Sequence, residues 1–286
     1  MTRGYLIFAH NNEEIDYTLI ALCNALMIRR HSVVKNVTLV TNQGSFDYLR
    51  DRYPDETNLA FQHVILRPTP DTQQTRAFAD TSTIKKLKWH NGSRASAYEL
   101  SPYRETILLD ADYLIQDATL DHVWGNHDDF LMNRDALTLS HDKPAEQEVR
   151  LEPMGIPLYW ATCIFFRKGD TAQRMFEMVE HVRENYDYYQ SLYRFPGSLF
   201  RNDYAFSIAA HLIGGWTEGG INPLPSPTLL TSFDTDELVD VKDGLIFLVR
   251  AEKGFTLSRV QGTSVHVMNK FSIVRVADRI LEAYRA

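Results

Sequence analysis

Four short, largely apolar segments, at residues 5–9, 37–41, 61–66 and 106–109, punctuate the first 110 residues of the chain. Segments this short and apolar read as buried strands, the continuous run at 5–9 most clearly. The segments between them carry a different period. Over residues 12–30, Ile15, Leu19, Leu22 and Leu26 recur at helical spacing, with acidic residues at the start and Arg29-Arg30 at the end, a charge order that suits the helix dipole. A short helix is expected over 45–52, before Pro54, and a longer one over 83–100, stopping at Ser101-Pro102. Strands alternating with helices predict an α/β fold: a mixed, mostly parallel sheet with helices on both faces.

The second half is less regular. A long apolar strand is expected over 158–166 and a helix over 171–190, whose Met175, Phe176, Val179 and Val182 share a face. A second helix covers 201–213 and stops at Gly214-Gly215; residues 219–240, interrupted by Pro223, Pro225 and Pro227, read as loop. Strands at 244–249 and 265–268 and a helix over 272–285 close the chain. No repeat, low-complexity tract or linker divides the sequence, so one domain over residues 1–286 is expected.

Charge and cysteine content exclude several classes. Lys and Arg total 30 against 37 Asp and Glu, a net −7, which disfavours unspecific binding of nucleic acid. Two cysteines, Cys23 and Cys163, are too few for a disulfide scaffold and suit a reducing compartment. Residues 5–9 are too short for the apolar core of a secretion signal, and no stretch reaches membrane-spanning length, so a cytoplasmic protein is expected. Neither a Gly-x-Ser-x-Gly elbow nor a His-Glu-x-x-His helix is present, which argues against the corresponding hydrolases.

The most informative site is Asp110-Ala111-Asp112. With 22 aspartates in the chain, roughly one or two Asp-x-Asp pairs arise by composition alone, and two occur. Context separates them. Asp110 follows a buried strand, at the carboxyl end where open α/β sheets place their ligands. Residues i and i+2 of an extended backbone project to one side, so both carboxylates can face one hard cation such as Mg²⁺ or Mn²⁺. The plainer alternative is a strand-end turn. Asp234-Thr-Asp236 follows a proline-rich segment and reads as a solvated turn.

The chain resembles the GT-A fold glycosyltransferases, in particular the glycogenin and lipopolysaccharide galactosyltransferase group, through several motifs in order. Residues 98–114, Tyr-Glu-Leu-Ser-Pro-Tyr-Arg-Glu-Thr-Ile-Leu-Leu-Asp-Ala-Asp-Tyr-Leu, are similar to the stretch around that family's metal-binding Asp-x-Asp. Arg94 falls where the family often has a basic residue on the donor. Trp160-Ala161-Thr162 occupies the place of its sugar-contacting strand, without the usual Asn and Gly. Asn202-Asp203 resembles its acidic helix start, facing the reacting sugar. His266 and Lys270 resemble its late His…Lys element, here spaced more closely and without an intervening Gly.

The resemblance implies a nucleotide-sugar donor, UDP-linked by family analogy, bound by a nucleotide-binding half (1–115) against an acceptor-side half (116–286). Asp110, Asp112 and His266 would hold Mn²⁺ or Mg²⁺; Arg94 and Lys270 would neutralise phosphate; Ala9, His10, Asn11 and Tyr17 would meet base and ribose. A departing diphosphate accumulates charge that a Lewis acid and nearby cations stabilise. The acceptor stays open among saccharide, lipid-linked sugar, protein and a hydroxymethylated DNA base; Lys85, Lys86 and Lys88 keep the last in play, and homo-oligomerisation is also open.

Two other functions fit such a fold. A sugar-nucleotide nucleotidyltransferase also uses strand-end carboxylates, but residues 8–12, Phe-Ala-His-Asn-Asn, lack the glycine of a phosphate loop. A non-catalytic carbohydrate-binding protein is the third reading. Asp203 reads equally as a carboxylate favoured by its helix N-terminus. The cluster Tyr186, Tyr188, Tyr189, Tyr193 and Phe195 is expected to be packing rather than a stacking platform. Asn126-His-Asp-Asp129 is expected to be loop.

Overall fold

A computed structural model describes residues 3–69, 74–90, 94–140, 150–151, 155–195, 199–216, 221–224, 229–251 and 253–285. From the amino end, β1 (Arg3–Phe8) leads to α1 (Tyr17–His31), β2 (Val37–Thr41) to α2 (Gln43–Arg52) and α3 (Pro54–Ala60), and β3 (His63–Leu66) to β4 (Thr75–Asp80) and β5 (Thr83–Lys88). A 3₁₀ turn and α4 (Ala97–Leu100) precede β6 (Glu105–Leu109), β7 (Tyr113–Leu114), β8 (Phe130–Asn133) and β9 (Ala136–Thr138). Next come β10 (Trp160–Arg167), α5 (Asp170–Glu184), α6 (Tyr186–Tyr193) and α7 (Asn202–Ile213). The chain closes with β11 (Asn222–Pro223), β12 (Leu229–Thr231), β13 (Glu237–Val241), β14 (Leu245–Ala251), β15 (Gly254–Val260), β16 (Val265–His266) and α8 (Lys270–Tyr284).

The apolar runs become one seven-stranded sheet in the order β11-β8-β10-β6-β1-β2-β3. Strands β3, β2, β1 and β6 run parallel, and β10 enters antiparallel between β6 and β8. The fold is therefore mixed α/β and mostly parallel, with helices on both faces. Alternation within strands builds two cores. Tyr5, Ile7, Ile107 and Leu109 face α1 and α8, whereas Leu6, Leu108, Ile164 and Phe166 face α5 and α7.

A small sheet, β7-β16-β12-β9, sits beside the large one. Its antiparallel pairing sets His266 opposite Tyr113, and the Val267 N–H donates to the Asp112 carbonyl at 2.9 Å. This register carries a late histidine to the end of β6.

Several expectations are corrected. The first helix starts at Tyr17, not at residue 12. Asn12 Oδ1 accepts from the Glu14 and Ile15 N–H groups, a local turn that holds this segment out of the helix until Asp16 caps it through the Leu19 N–H. The expected helix over 83–100 is instead strand β5, paired with β4, followed by the 3₁₀ turn and α4. Phe78 and Leu87 bury one hairpin face, and Thr81 turns its tip with φ of 54°. The helix over 171–190 breaks at Asn185, whose side chain donates to the His181 carbonyl.

Residues 219–240 are not simply loop, since β11, β12 and β13 lie within them. Asp236 is buried rather than solvated: its carboxylate accepts from the Phe233 and Arg250 N–H groups at 2.7 and 3.1 Å. Tyr186, Tyr189 and Phe195 pack in the core while Tyr188 is exposed. Asp129 of the 126–129 loop pairs with Arg167. Among the described residues, no helix is long and apolar enough to cross a membrane.

Candidate active site

Where β6 ends, the chain turns sharply, the Tyr113 N–H donating to the Asp110 carbonyl at 3.2 Å. The Asp110 N–H donates to the Thr162 carbonyl at 2.9 Å, so the amino end of β10 lies along Asp110-Ala111-Asp112. Antiparallel entry of β10 thus brings Trp160, Ala161 and Thr162 to the carboxyl edge of the parallel strands. Asp203, in the first turn of α7, accepts from the Ala161 N–H at 2.8 Å. Lys270 opens α8, whose start is capped by Asn269 through the Ser272 N–H.

Asp110, Asp112 and His266 converge, each offering one ligand atom, and these atoms all lie within 4.8 Å of one another. His266 Nε2 stands 3.6 Å from Asp112 and 3.9 Å from Asp110. Two carboxylates and an imidazole form a donor set that fits Mn²⁺ or Mg²⁺, with positions left for phosphate oxygens or water. Basic side chains flank the group. Lys270 Nζ contacts Asp112 at 2.7 Å with both side chains buried, and the buried Arg94 pairs with Asp110 while donating to the Ala161 carbonyl.

The two carboxylates therefore differ electrostatically. Burial raises the Asp110 carboxyl above its ordinary range, with Arg94 only partly offsetting it. Burial works the same way on Asp112, but Lys270 and His266 overcome it and hold that carboxyl far below the usual range.

These groups line a cleft of about 150 Å³. Ala9, His10 and Tyr17 line it from the end of β1 and the start of α1, Arg94 from the 3₁₀ turn, and Ala111 from the turn after β6. Trp160, Ala161 and Thr162 supply another wall, joined by Asp203, His266 and Lys270. Asn11 does not line it: its Oδ1 accepts from the Thr18 N–H at 2.9 Å and braces the loop before α1. Burial pushes the Tyr17 phenol strongly upward, with Asp112 adding to the effect.

Sequence reasoning missed further lining residues. Arg76, Phe78, Lys88 and Trp89 come from the β4–β5 hairpin, read as polar stretch and helix, and the Arg76 guanidinium lies over the Phe78 and Trp89 rings at 5.6 and 5.3 Å. Alternation of Arg76 and Phe78 with Leu87 and Trp89 was the available signal. Arg201, immediately before Asn202-Asp203, also lines the cleft.

His10 makes a pH prediction possible. Burial, aided by the neighbouring His90, lowers its pKa from 6.5 to about 4. Its Nδ1 is buried without a hydrogen-bond partner among the described residues. A base depressed in the folded state contributes stability that is whole above 6.5 and lost as pH falls towards 4. The loss should approach about 3 kcal/mol at the acid end. Urea unfolding between pH 7 and 4.5 should therefore be less pH-dependent in His10→Gln; an unchanged slope would contradict the assignment.

No family model and no curated protein matches the chain. Among solved structures, it is similar to mouse xyloside xylosyltransferase 1, with 13% identity and a TM-score of 0.44 over 73% of this chain and 81% of that one. It is also similar to the galactosyltransferase LgtC in complex with donor and acceptor sugar analogues, with 11% identity and a TM-score of 0.43 over 77% and 72% of the two chains. A Bacillus anthracis protein described as a glucose-1-phosphate thymidylyltransferase gives 4% identity and a TM-score of 0.41 over 81% and 87%. Similarity this distant does not assign an activity; the cleft must carry that argument.

Proposed function

We propose that the chain is a divalent-metal-dependent glycosyltransferase that moves a sugar from a nucleoside-diphosphate donor, UDP-linked by the resemblance, to an acceptor hydroxyl. The observation that carries this reading is the convergence of Asp110, Asp112 and His266, flanked by Lys270 and Arg94, at the carboxyl edge of the sheet. Residues 1–115 form the nucleotide-binding half and 116–286 the acceptor-side half of one domain. Buried Cys23 and Cys163 suit a cytoplasmic setting.

When bound at Asp110, Asp112 and His266, Mn²⁺ or Mg²⁺ supplies Lewis-acid stabilisation to the leaving diphosphate. The chain's own groups do the rest. Lys270 and Arg94 turn from their carboxylate partners to phosphate oxygens and neutralise charge as the glycosidic bond to phosphate breaks. Asp203, fixed against β10, accepts hydrogen bonds from donor-sugar hydroxyls. Tyr17 and His10 border the nucleoside, and the hairpin roof with Phe78 and Trp89 keeps water from the reacting centre.

A thermal-shift panel of nucleoside diphosphates and nucleotide sugars, with and without Mn²⁺, tests the reading. One nucleoside diphosphate at saturating concentration should raise Tm by roughly 5 °C, only with metal. The shift should vanish in Asp110→Ala. A panel without any metal-dependent ligand overturns the proposal. Metal-dependent hydrolysis of the nucleotide sugar separates an enzyme from a carbohydrate-binding protein. Preference for a nucleoside triphosphate plus sugar phosphate would identify a nucleotidyltransferase instead.

A further inference from the structure

Asp203 is held from two directions. Its Oδ1 accepts from the Ala161 N–H at 2.8 Å and its Oδ2 from Arg201 Nη2 at 3.0 Å. Its carbonyl accepts from Ser207 Oγ at 2.6 Å, and the same hydroxyl oxygen accepts from the Tyr159 N–H at 2.8 Å, so the first turn of α7 is stitched to the approach of β10. Arg201 is itself oriented. Its guanidinium lies over the Tyr204 ring at 4.7 Å and donates to the Tyr204 hydroxyl at 3.3 Å. Its backbone N–H donates to the Tyr186 hydroxyl at 3.1 Å. Arg201 and Asp203 both line the cleft.

An ionised carboxylate has about four acceptor positions. Ala161 and Arg201 take one on each oxygen, which fixes the plane of the group and leaves one position per oxygen. Without Arg201, one hydrogen bond would remain and the carboxylate could rotate about its last bond. Placement errors of about 1 Å cost orders of magnitude where hydroxyls must be held for reaction. We propose that Arg201 is a positioning residue: it sets the orientation of the Asp203 carboxylate so that its free lone pairs accept hydroxyls of the donor sugar. This rests on the glycosyltransferase reading and adds that recognition of the sugar, as distinct from the nucleoside diphosphate, depends on the residue before Asn202.

The test compares wild type, Arg201→Gln and Arg201→Lys by calorimetry with UDP and UDP-glucose in saturating Mn²⁺, alongside UDP-glucose hydrolysis. UDP affinity should stay within twofold in both variants. In Arg201→Gln, UDP-glucose affinity should fall about tenfold, removing the sugar's share of binding, and hydrolytic kcat should fall further than KM rises. Arg201→Lys should recover most of both losses. Equal weakening of UDP and UDP-glucose, or no change in either, overturns the proposal.

Exchange of the Ala161 amide hydrogen supplies a readout that needs no ligand. It should quicken about tenfold in Arg201→Gln as the Asp203 contact loosens, with Arg201→Lys in between; unchanged exchange also overturns the positioning role. A wild type that binds neither nucleotide with Mn²⁺ defeats the uridine-linked donor instead, and the exchange measurement still decides whether Arg201 holds Asp203.

Discussion

Asp112→Asn is expected to abolish metal-dependent nucleotide binding and to weaken the fold. Asp112 is buried, with Lys270 Nζ at 2.7 Å and His266 Nε2 at 3.6 Å from its Oδ2. An amide keeps one oxygen donor but lacks the negative charge that a carboxylate brings to a hard divalent ion. Nucleoside-diphosphate affinity in Mn²⁺ should drop by on the order of a hundredfold, about 2.7 kcal/mol. The same change leaves a buried ammonium without its anion. Breaking such a pair from one side costs about 3–5 kcal/mol, whereas replacing both partners with well-packed groups of similar size is often neutral. The double variant Asp112→Asn/Lys270→Met should therefore recover most of the stability and none of the metal binding. Urea unfolding and Mn²⁺ titration of the three proteins check both halves. A single variant that keeps its Mn²⁺-dependent nucleotide affinity would remove Asp112 from the site.

Lys270→Gln should act on metal and nucleotide in opposite directions. Without ligands, the ammonium neutralises Asp112 and repels any cation approaching it. Removing it should raise affinity for Mn²⁺ alone by about tenfold, because a like charge is taken from within a few ångströms of the site. Nucleotide affinity at saturating Mn²⁺ should fall by about ten- to a hundredfold, the range of one lost charge-assisted hydrogen bond. The variant should also be unstable without metal and regain stability when Mn²⁺ is added. Titration of free Mn²⁺ by electron paramagnetic resonance, with and without nucleoside diphosphate, measures both terms. Reciprocity requires the reduced coupling to appear from either ligand. Weaker binding of Mn²⁺ alone would show that Lys270 does not compete at Asp112.

Residues 5–9, 37–41 and 106–109 announced their strands because strands buried on both faces leave short segments of apolar residues and threonine, and β1, β2 and β6 are buried along nearly their whole length. The hairpin did not announce itself. Ile84 and Leu87 are three apart, as in a helix, and its tip is turned by Thr81 rather than by a glycine. That misassignment concealed Arg76 and Trp89. Asp236 was equally hidden, since its partners are backbone N–H groups that only tertiary folding brings together.

For the site, Asp110 and Asp112 were legible from strand-end position; the extended backbone expected to align them is instead a turn closed by the Tyr113 N–H on the Asp110 carbonyl. His266 and Lys270 entered through family resemblance, because their approach depends on the pairing of β16 with β7. Arg201 stood next to a residue already singled out. What marks it is the contact with Asp203, a relation between side chains that residue order alone does not display.

The reversal of β10 bears on how such a chain can diversify. Because this strand runs against β6, the segment between Asp112 and Trp160 departs from and returns to one rim of the sheet. β7, β8 and β9 lie inside that span and are pinned in the two sheets, so length can be gained or lost only in the connections between strands without shifting either anchor. Connections between those strands can therefore be remodelled while Asp112 and Trp160 keep their places at the rim.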